Sequence, residues 1–120
     1  MSDQKFEDSD KRLAVYGSLA PGKENHWVLA SMNGCWARGV VRGQLHPEGW
    51  GATSGFPALV FDEDGPEVPV FVFESDELPQ NWARLDEFEG KDYRRTVVPV
   101  KLDSGGFVRC CVYELNRQAK

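Results

Sequence analysis

Cysteine and histidine are scarce in this 120-residue chain, and it has neither a basic patch nor a long apolar run. The three cysteines, Cys35, Cys110 and Cys111, are odd in number and two are adjacent, a poor disulfide framework. No Cys-x-x-Cys pair and no Cys/His ligand spacing occurs, so structural zinc is not expected. The two histidines, His26 and His46, stand 20 positions apart with no carboxylate at helical spacing. A reducing, cytoplasmic setting is the expectation. The longest basic cluster, Arg94-Arg95, is diluted by Glu89 and Asp92, and the formal net charge is -5. Nucleic-acid binders carry a basic patch or stripe, so nucleic acid is not an expected partner. No stretch approaches the ~20 apolar residues of a membrane span, and Met1 to Arg12 lacks the apolar run of a secretory signal. A membrane partner is likewise not expected.

What remains is an ordinary globular composition, 41% apolar and 28% charged. The length fits one domain with a single core. We expect a flexible, charged N-terminal tail over residues 1–12, a folded domain over 13–116 and a short tail over 117–120. Leu13 to Gly17 reads as a strand running into a Pro21-Gly22 turn, and Glu24 to Met32 as a short helix. Cys35 to His46 alternates with period two. Cys35, Ala37, Gly39, Val41, Gly43 and Leu45 form the face to be buried, with Gly39 and Gly43 marking bends. His46 falls on the polar face and reads as a surface histidine. Pro57 to Phe61 and Val68 to Glu74 read as strands, joined as a hairpin by Asp62-Glu63-Asp64-Gly65. Val68 to Phe73 is apolar on both faces, so both faces should be covered. Ser75 or Asp76 caps a helix whose apolar positions are Leu78, Trp82, Leu85 and Phe88, ended by Gly90. Tyr93 to Leu102 and Phe107 to Leu115 form a second hairpin around Asp103-Ser104-Gly105-Gly106. The fold class is therefore α+β: a small, mixed, partly closed β-barrel of about six strands with one or two short flanking helices.

Two places carry chemistry. At Val15-Tyr16-Gly17-Ser18-Leu19 a strand ends on a turn. It is either an ordinary junction or a concavity of backbone N–H groups that binds an anion. At Leu85-Asp86-Glu87-Phe88-Glu89-Gly90, Glu89 shares a helix face with Trp82 and Leu85. It is either a helix-end acid pointing to water or a carboxyl at the lip of the apolar stripe. In the second case partial burial, the negative helix end and the neighbouring Asp86 all raise its pKa. A carboxyl titrating near neutrality suits general acid/base work. Arg95, on the same strand face as Tyr93, either pairs with Asp86 or Glu89 or grips a substrate carboxylate.

These segments resemble the gamma-glutamylcyclotransferase-like family, which includes the gamma-glutamylamine cyclotransferases. The similarity rests on Val15-Tyr16-Gly17-Ser18-Leu19-x-Pro21-Gly22 with Asn25-His26, then Gly55-Phe56-Pro57-Ala58-Leu59-Val60. Leu85-Asp86-x-x-Glu89-Gly90 with Tyr93-x-Arg95 and the closing Val112-Tyr113 complete it. The four motifs fall in order across nearly the whole chain. Gly90 to Tyr93 is short for the family, which implies a tight loop beside the acid. The resemblance implies a barrel with a cavity at the Tyr-Gly-Ser turn and maps the catalytic glutamate onto Glu89. It maps the substrate cradle onto Tyr16, Gly17, Ser18 and Leu19, with Tyr93, Arg95 and Tyr113 as further substrate-binding residues. The implied reaction cyclises a gamma-glutamyl group to 5-oxoproline and releases an amine or amino acid, without metal or cofactor. The alternative is a non-catalytic small-molecule-binding or stress-associated interaction domain using the same cavity. The cavity is expected between the Tyr16–Leu19 turn, Glu89 and the Gly-rich loop His46–Phe56, with Trp50 in its cover.

Overall fold

A computed structural model of the chain describes residues 8–16, 27–46, 58–91 and 93–116. A 3-10 turn at Asp8–Lys11 leads into β1 (Arg12–Val15), α1 (Trp27–Ala30), β2 (Cys35–His46), β3 (Ala58–Phe61) and β4 (Glu67–Glu74). α2 (Leu78–Glu89), β5 (Tyr93–Leu102) and β6 (Phe107–Leu115) complete the order. The strands β1, β4, β2, β5 and β6 pair in a ring that returns to β1. All its seams are antiparallel except β1–β6, where Leu13 and Ala14 lie parallel to Cys111 and Val112. The expected mixed barrel is thus present and closed, with β3 as an added strand.

Period-two alternation builds two cores from the same strands. Ala14, Val41, Leu59, the three valines Val68, Val70 and Val72, and Val98, Val100, Cys110 and Val112 fill the barrel. The opposite parity, Leu13, Val15, Phe73, Cys111 and Tyr113, packs outward against Leu78, Trp82 and Leu85 of α2 and against Leu29 and Met32. This explains why β4 is apolar on both faces. Burying a leucine-sized side chain is worth roughly 1.5–3 kcal/mol, so α2 is held mainly by its Leu78–Trp82–Leu85 stripe. Gly90, at φ +85°, ends the helix, and its N–H bonds to the Asp86 carbonyl at 3.0 Å. The tight exit expected there is present: the Tyr93 N–H reaches the Gly90 carbonyl at 3.3 Å.

Several sequence expectations change. β3 and β4 do not form a hairpin; both run antiparallel to β2. Gly43 pairs with Phe61 and its neighbour Arg42 with Glu67, so residues 62–66 loop out between adjacent rungs of one long strand. The turn chemistry is nevertheless as read, with the Gly65 N–H on the Asp62 carbonyl at 2.8 Å. In β2 only Gly39, Val41 and Gly43 of the apolar set are buried; Cys35, Ala37 and Leu45 are exposed. Trp36, from the set read as polar, instead packs on Phe73 with ring centroids 4.8 Å apart. The helix starts at Leu78, and Ser75 caps the turn before it, its Oγ accepting from the Glu77 N–H at 3.0 Å. Residues 8–12, expected within the flexible tail, are docked: Trp82 Nε1 donates to the Asp10 carbonyl at 2.8 Å. Among the described residues no helix is long and apolar enough to cross a membrane.

Candidate active site

Of the two chemical motifs, Tyr16 and Glu89 interact electrostatically. Tyr16 directly follows β1, and its ring packs against the barrel core. Its hydroxyl donates to the Tyr113 carbonyl at 2.6 Å and accepts from the Leu59 N–H at 3.0 Å. One side chain thereby ties β1 to β6 and β3, and its hydroxyl is spent on those strands. Burial is the main cause that holds the Tyr16 hydroxyl well above its usual range, and Glu89 and Glu114 add to it electrostatically. The Tyr16 end of β1 is therefore within electrostatic reach of the last residue of α2.

Glu89 is half-buried, whereas Phe88, expected on the apolar stripe, is 41% exposed. Leu78, Trp82, Leu85 and Glu89 follow one another at four, three and four residues, so Glu89 rather than Phe88 extends the buried face. Burial alone pushes its carboxyl up to about 7. Asp86 is not among the causes of that shift; it has partners of its own. Arg95 binds it through two bonds, Nε to Oδ1 at 3.0 Å and a terminal nitrogen to Oδ2 at 3.2 Å. Tyr113 donates its hydroxyl to the same Oδ1 at 2.6 Å. The Arg95 guanidinium lies 4.4 Å above the Trp82 ring, and Trp82 meets Tyr113 edge-on. Arg95 and Tyr113, expected to bind substrate, both bind Asp86. Tyr93 packs half-buried against the outer core beside them.

Gly17, Ser18 and Leu19 lie outside the described residues, as does loop 47–57 with Trp50, Phe56 and Pro57. A cavity of about 530 Å³ opens beside β3, β5 and β6, lined by Phe61, Arg94, Thr96, Val98 and Glu114 among others. Glu89 does not line it. Glu114 was missed by sequence reasoning. It is 9% exposed and accepts from the Phe61 N–H at 2.6 Å and the Thr96 hydroxyl at 2.8 Å. The signal was available: Glu114 shares the inward parity of Cys110 and Val112, where an acid needs internal donors. His46, read as a surface residue, is half-buried, and its Nε2 is enclosed. Burial pushes the Cys110 thiol up to about 12 and raises Cys111 as well, which disfavours the thiolate that nucleophilic chemistry needs. Among the described residues no three His, Cys, Asp or Glu side chains gather to hold a metal ion.

A mouse AIG2-like protein superposes with a TM-score of 0.66 at 27% identity, over 87% of this chain and 76% of its own. YkqA from Bacillus subtilis does so at 0.68 and 28% identity over 88% of this chain, which spans only 36% of that larger protein. A structure described as gamma-glutamyl cyclotransferase shares the fold at 0.63 and 22% identity, over 88% of this chain and 66% of its own. No curated protein sequence matches at a comparable level. Residues 13–120 match the family model described as "Gamma-glutamyl cyclotransferase, AIG2-like". That match covers nearly the whole chain and accords with the barrel: the chain belongs to the AIG2-like gamma-glutamyl cyclotransferase family.

Proposed function

We propose that the protein cyclises a gamma-glutamyl group to 5-oxoproline, releasing an amine or amino acid, with Glu89 as the general acid/base. The observation that carries this reading is a carboxyl raised to about 7 by burial, set at a helix end within electrostatic reach of Tyr16. The substrate's own alpha-amine attacks its own gamma-carbonyl. The C–N bond of the five-membered lactam forms and the bond to the leaving amine breaks. The nucleophile is tethered, so the enzyme's task is to hold it folded against the carbonyl and to move protons. Ionised Glu89 takes a proton from the alpha-ammonium and returns one to the departing nitrogen. In this reading the Tyr16–Leu19 segment supplies backbone N–H groups to the substrate carboxylate or to the oxyanion, and Tyr93 flanks the substrate. Membership of the family and the electrostatics of Glu89 support the assignment.

The test is release of 5-oxoproline from a panel of gamma-glutamyl amines and peptides, followed by chromatography. Turnover of at least one compound is expected. Binding without turnover across the panel would favour a non-catalytic ligand-binding domain.

A further inference from the structure

We propose that the cavity beside β3, β5 and β6 is a second binding site, for a small α-amino acid with an apolar side chain, in which Arg94 takes the ligand carboxylate and Glu114 its ammonium. Alternation along β5 and β6 puts Arg94, Thr96 and Glu114 on the parity of Val98 and Val112, which belong to the barrel core. Tyr93, Arg95 and Tyr113 take the other parity, and the two tyrosines face the outer core that packs on α2. The cavity therefore lies across the β5–β6 hairpin from the Asp86 cluster, and Glu89 is not in its lining. Its volume of about 530 Å³ falls within the range of small-molecule sites.

Arg94 and Glu114 stand directly opposite each other on antiparallel strands, where Cβ atoms lie about 4.5–5.5 Å apart. That register offers an ion pair, and the pair is not made. Glu114 is 9% exposed and accepts from two neutral donors, the Phe61 N–H at 2.6 Å and the Thr96 hydroxyl at 2.8 Å. The Arg94 guanidinium has no hydrogen-bond or ion-pair partner among the described residues, although Arg94 lines the cavity together with Glu114. A buried carboxylate is costly without a countercharge, and each of its oxygens keeps a lone pair after accepting one bond. The cavity thus holds, side by side, an anion with spare acceptor capacity and an uncommitted two-pronged cation. A plain carboxylate would be repelled by Glu114, and a plain amine by Arg94. An α-amino acid satisfies both residues, because one carbon joins its two charged groups. Val60, Phe61 and Leu115 supply an apolar wall for its side chain.

The test is titration of the isotope-labelled full chain with valine, leucine and phenylalanine, followed by NMR. Each amino acid is run beside its counterparts lacking the ammonium or the carboxylate; for leucine these are isocaproate and isoamylamine. Saturable shifts are expected in the methyl groups of Val60 and Leu115, with each counterpart binding roughly 10-fold more weakly. Arg94→Gln, at an exposed position, should weaken binding by a similar factor at unchanged melting temperature. Glu114→Gln should abolish the preference for the amino acid over its carboxylate counterpart; should that variant fail to fold, the counterparts and Arg94→Gln decide. No saturable shift from any of the three amino acids at about 10 mM overturns the site, as does binding that Arg94→Gln leaves unchanged. Shifts centred on Tyr93 and Tyr113 that vanish in Glu89→Gln would put the ligand at the acid instead and refute a second site. No gamma-glutamyl compound is present, so this binding and the release of 5-oxoproline succeed or fail separately.

Discussion

Glu89 concentrates the chemistry and carries a penalty with it. Its carboxyl is raised from an ordinary 4.5 to about 7 by burial. The active base is the ionised form, so kcat/KM should rise with pH and level off above an apparent midpoint near 7. Glu89→Gln is nearly isosteric and removes the proton-transfer capacity. It should lower turnover by about 100- to 10,000-fold while leaving the circular dichroism spectrum unchanged; near-full activity of this variant would end the assignment. The same shift predicts stability. Below 4.5 the group is protonated whether the chain is folded or not. Between 4.5 and about 7 the unfolded chain releases the proton and the folded one keeps it, so stability falls as pH rises through that window. Glu89→Gln should therefore melt higher than wild type at pH 8 and nearly equal to it at pH 4. Equal melting temperatures at both values would show that the carboxyl is not buried as described. The position of Glu89 was legible, since its spacing from Trp82 and Leu85 places it on the buried face. The cause of its shift was only partly legible. Asp86 was read as a repelling neighbour; its pairing with Arg95 was among the alternatives the sequence offered, but the Tyr113 contact, 27 residues away, forms only through the fold.

At the scale of elements, long strands with clear alternation and explicit turns were read to their ends. β2, β5 and β6 run as the pattern indicates, and Gly105 and Gly106 take the positive φ their hairpin requires. Short pieces were less determinate. A turn sequence says that the chain reverses or bulges; it does not say which strand the next segment will pair with. The five residues after β3 therefore looked like a hairpin, when β2 was long enough to accept β3 and β4 in succession. The role of Tyr16 was hidden for the same reason: its partners Leu59 and Tyr113 are distant in sequence. Removing its hydroxyl leaves the Leu59 N–H and the Tyr113 carbonyl short of a partner where β1, β3 and β6 converge. Tyr16→Phe should then destabilise the protein by about 1–3 kcal/mol, measured by urea unfolding. A loss below about 0.5 kcal/mol would mean that these groups find other partners.

For the whole molecule the decisive event is closure of the ring, and β2 against β5 is, with β1 against β6, one of its two narrow seams. There the register is held by two pairs alone, Gly39 with Leu102 and Val40 with Lys101, flanked by the Asp103 N–H on the Arg38 carbonyl at 2.9 Å. Composition and periodicity pointed to a curved sheet but could not name this seam, although Gly39 was its marker. A Cβ at Gly39 would stand 2.6 Å from the Lys101 carbonyl oxygen and 2.9 Å from Val100 Cγ1, so the strands meet closely only because that position has no side chain. The first of these neighbours is backbone and cannot turn aside. Val100 is fully buried and belongs to the barrel core, so the seam cannot widen without loosening that core. Gly39→Ala should accordingly cost about 1–3 kcal/mol, seen as a lower midpoint of one cooperative calorimetric transition rather than as a separate early one. Gly90→Ala supplies the contrast. Its φ of +85° is unfavourable for alanine, yet nothing lies within 4 Å of the added carbon, so the cost should stay near 1–2 kcal/mol and fall on the end of α2. Activity in Gly39→Ala, assayed well below its melting temperature, should remain close to wild type, because the seam lies away from Glu89. A Gly39→Ala protein as stable as wild type would mean that the ring does not close at this seam.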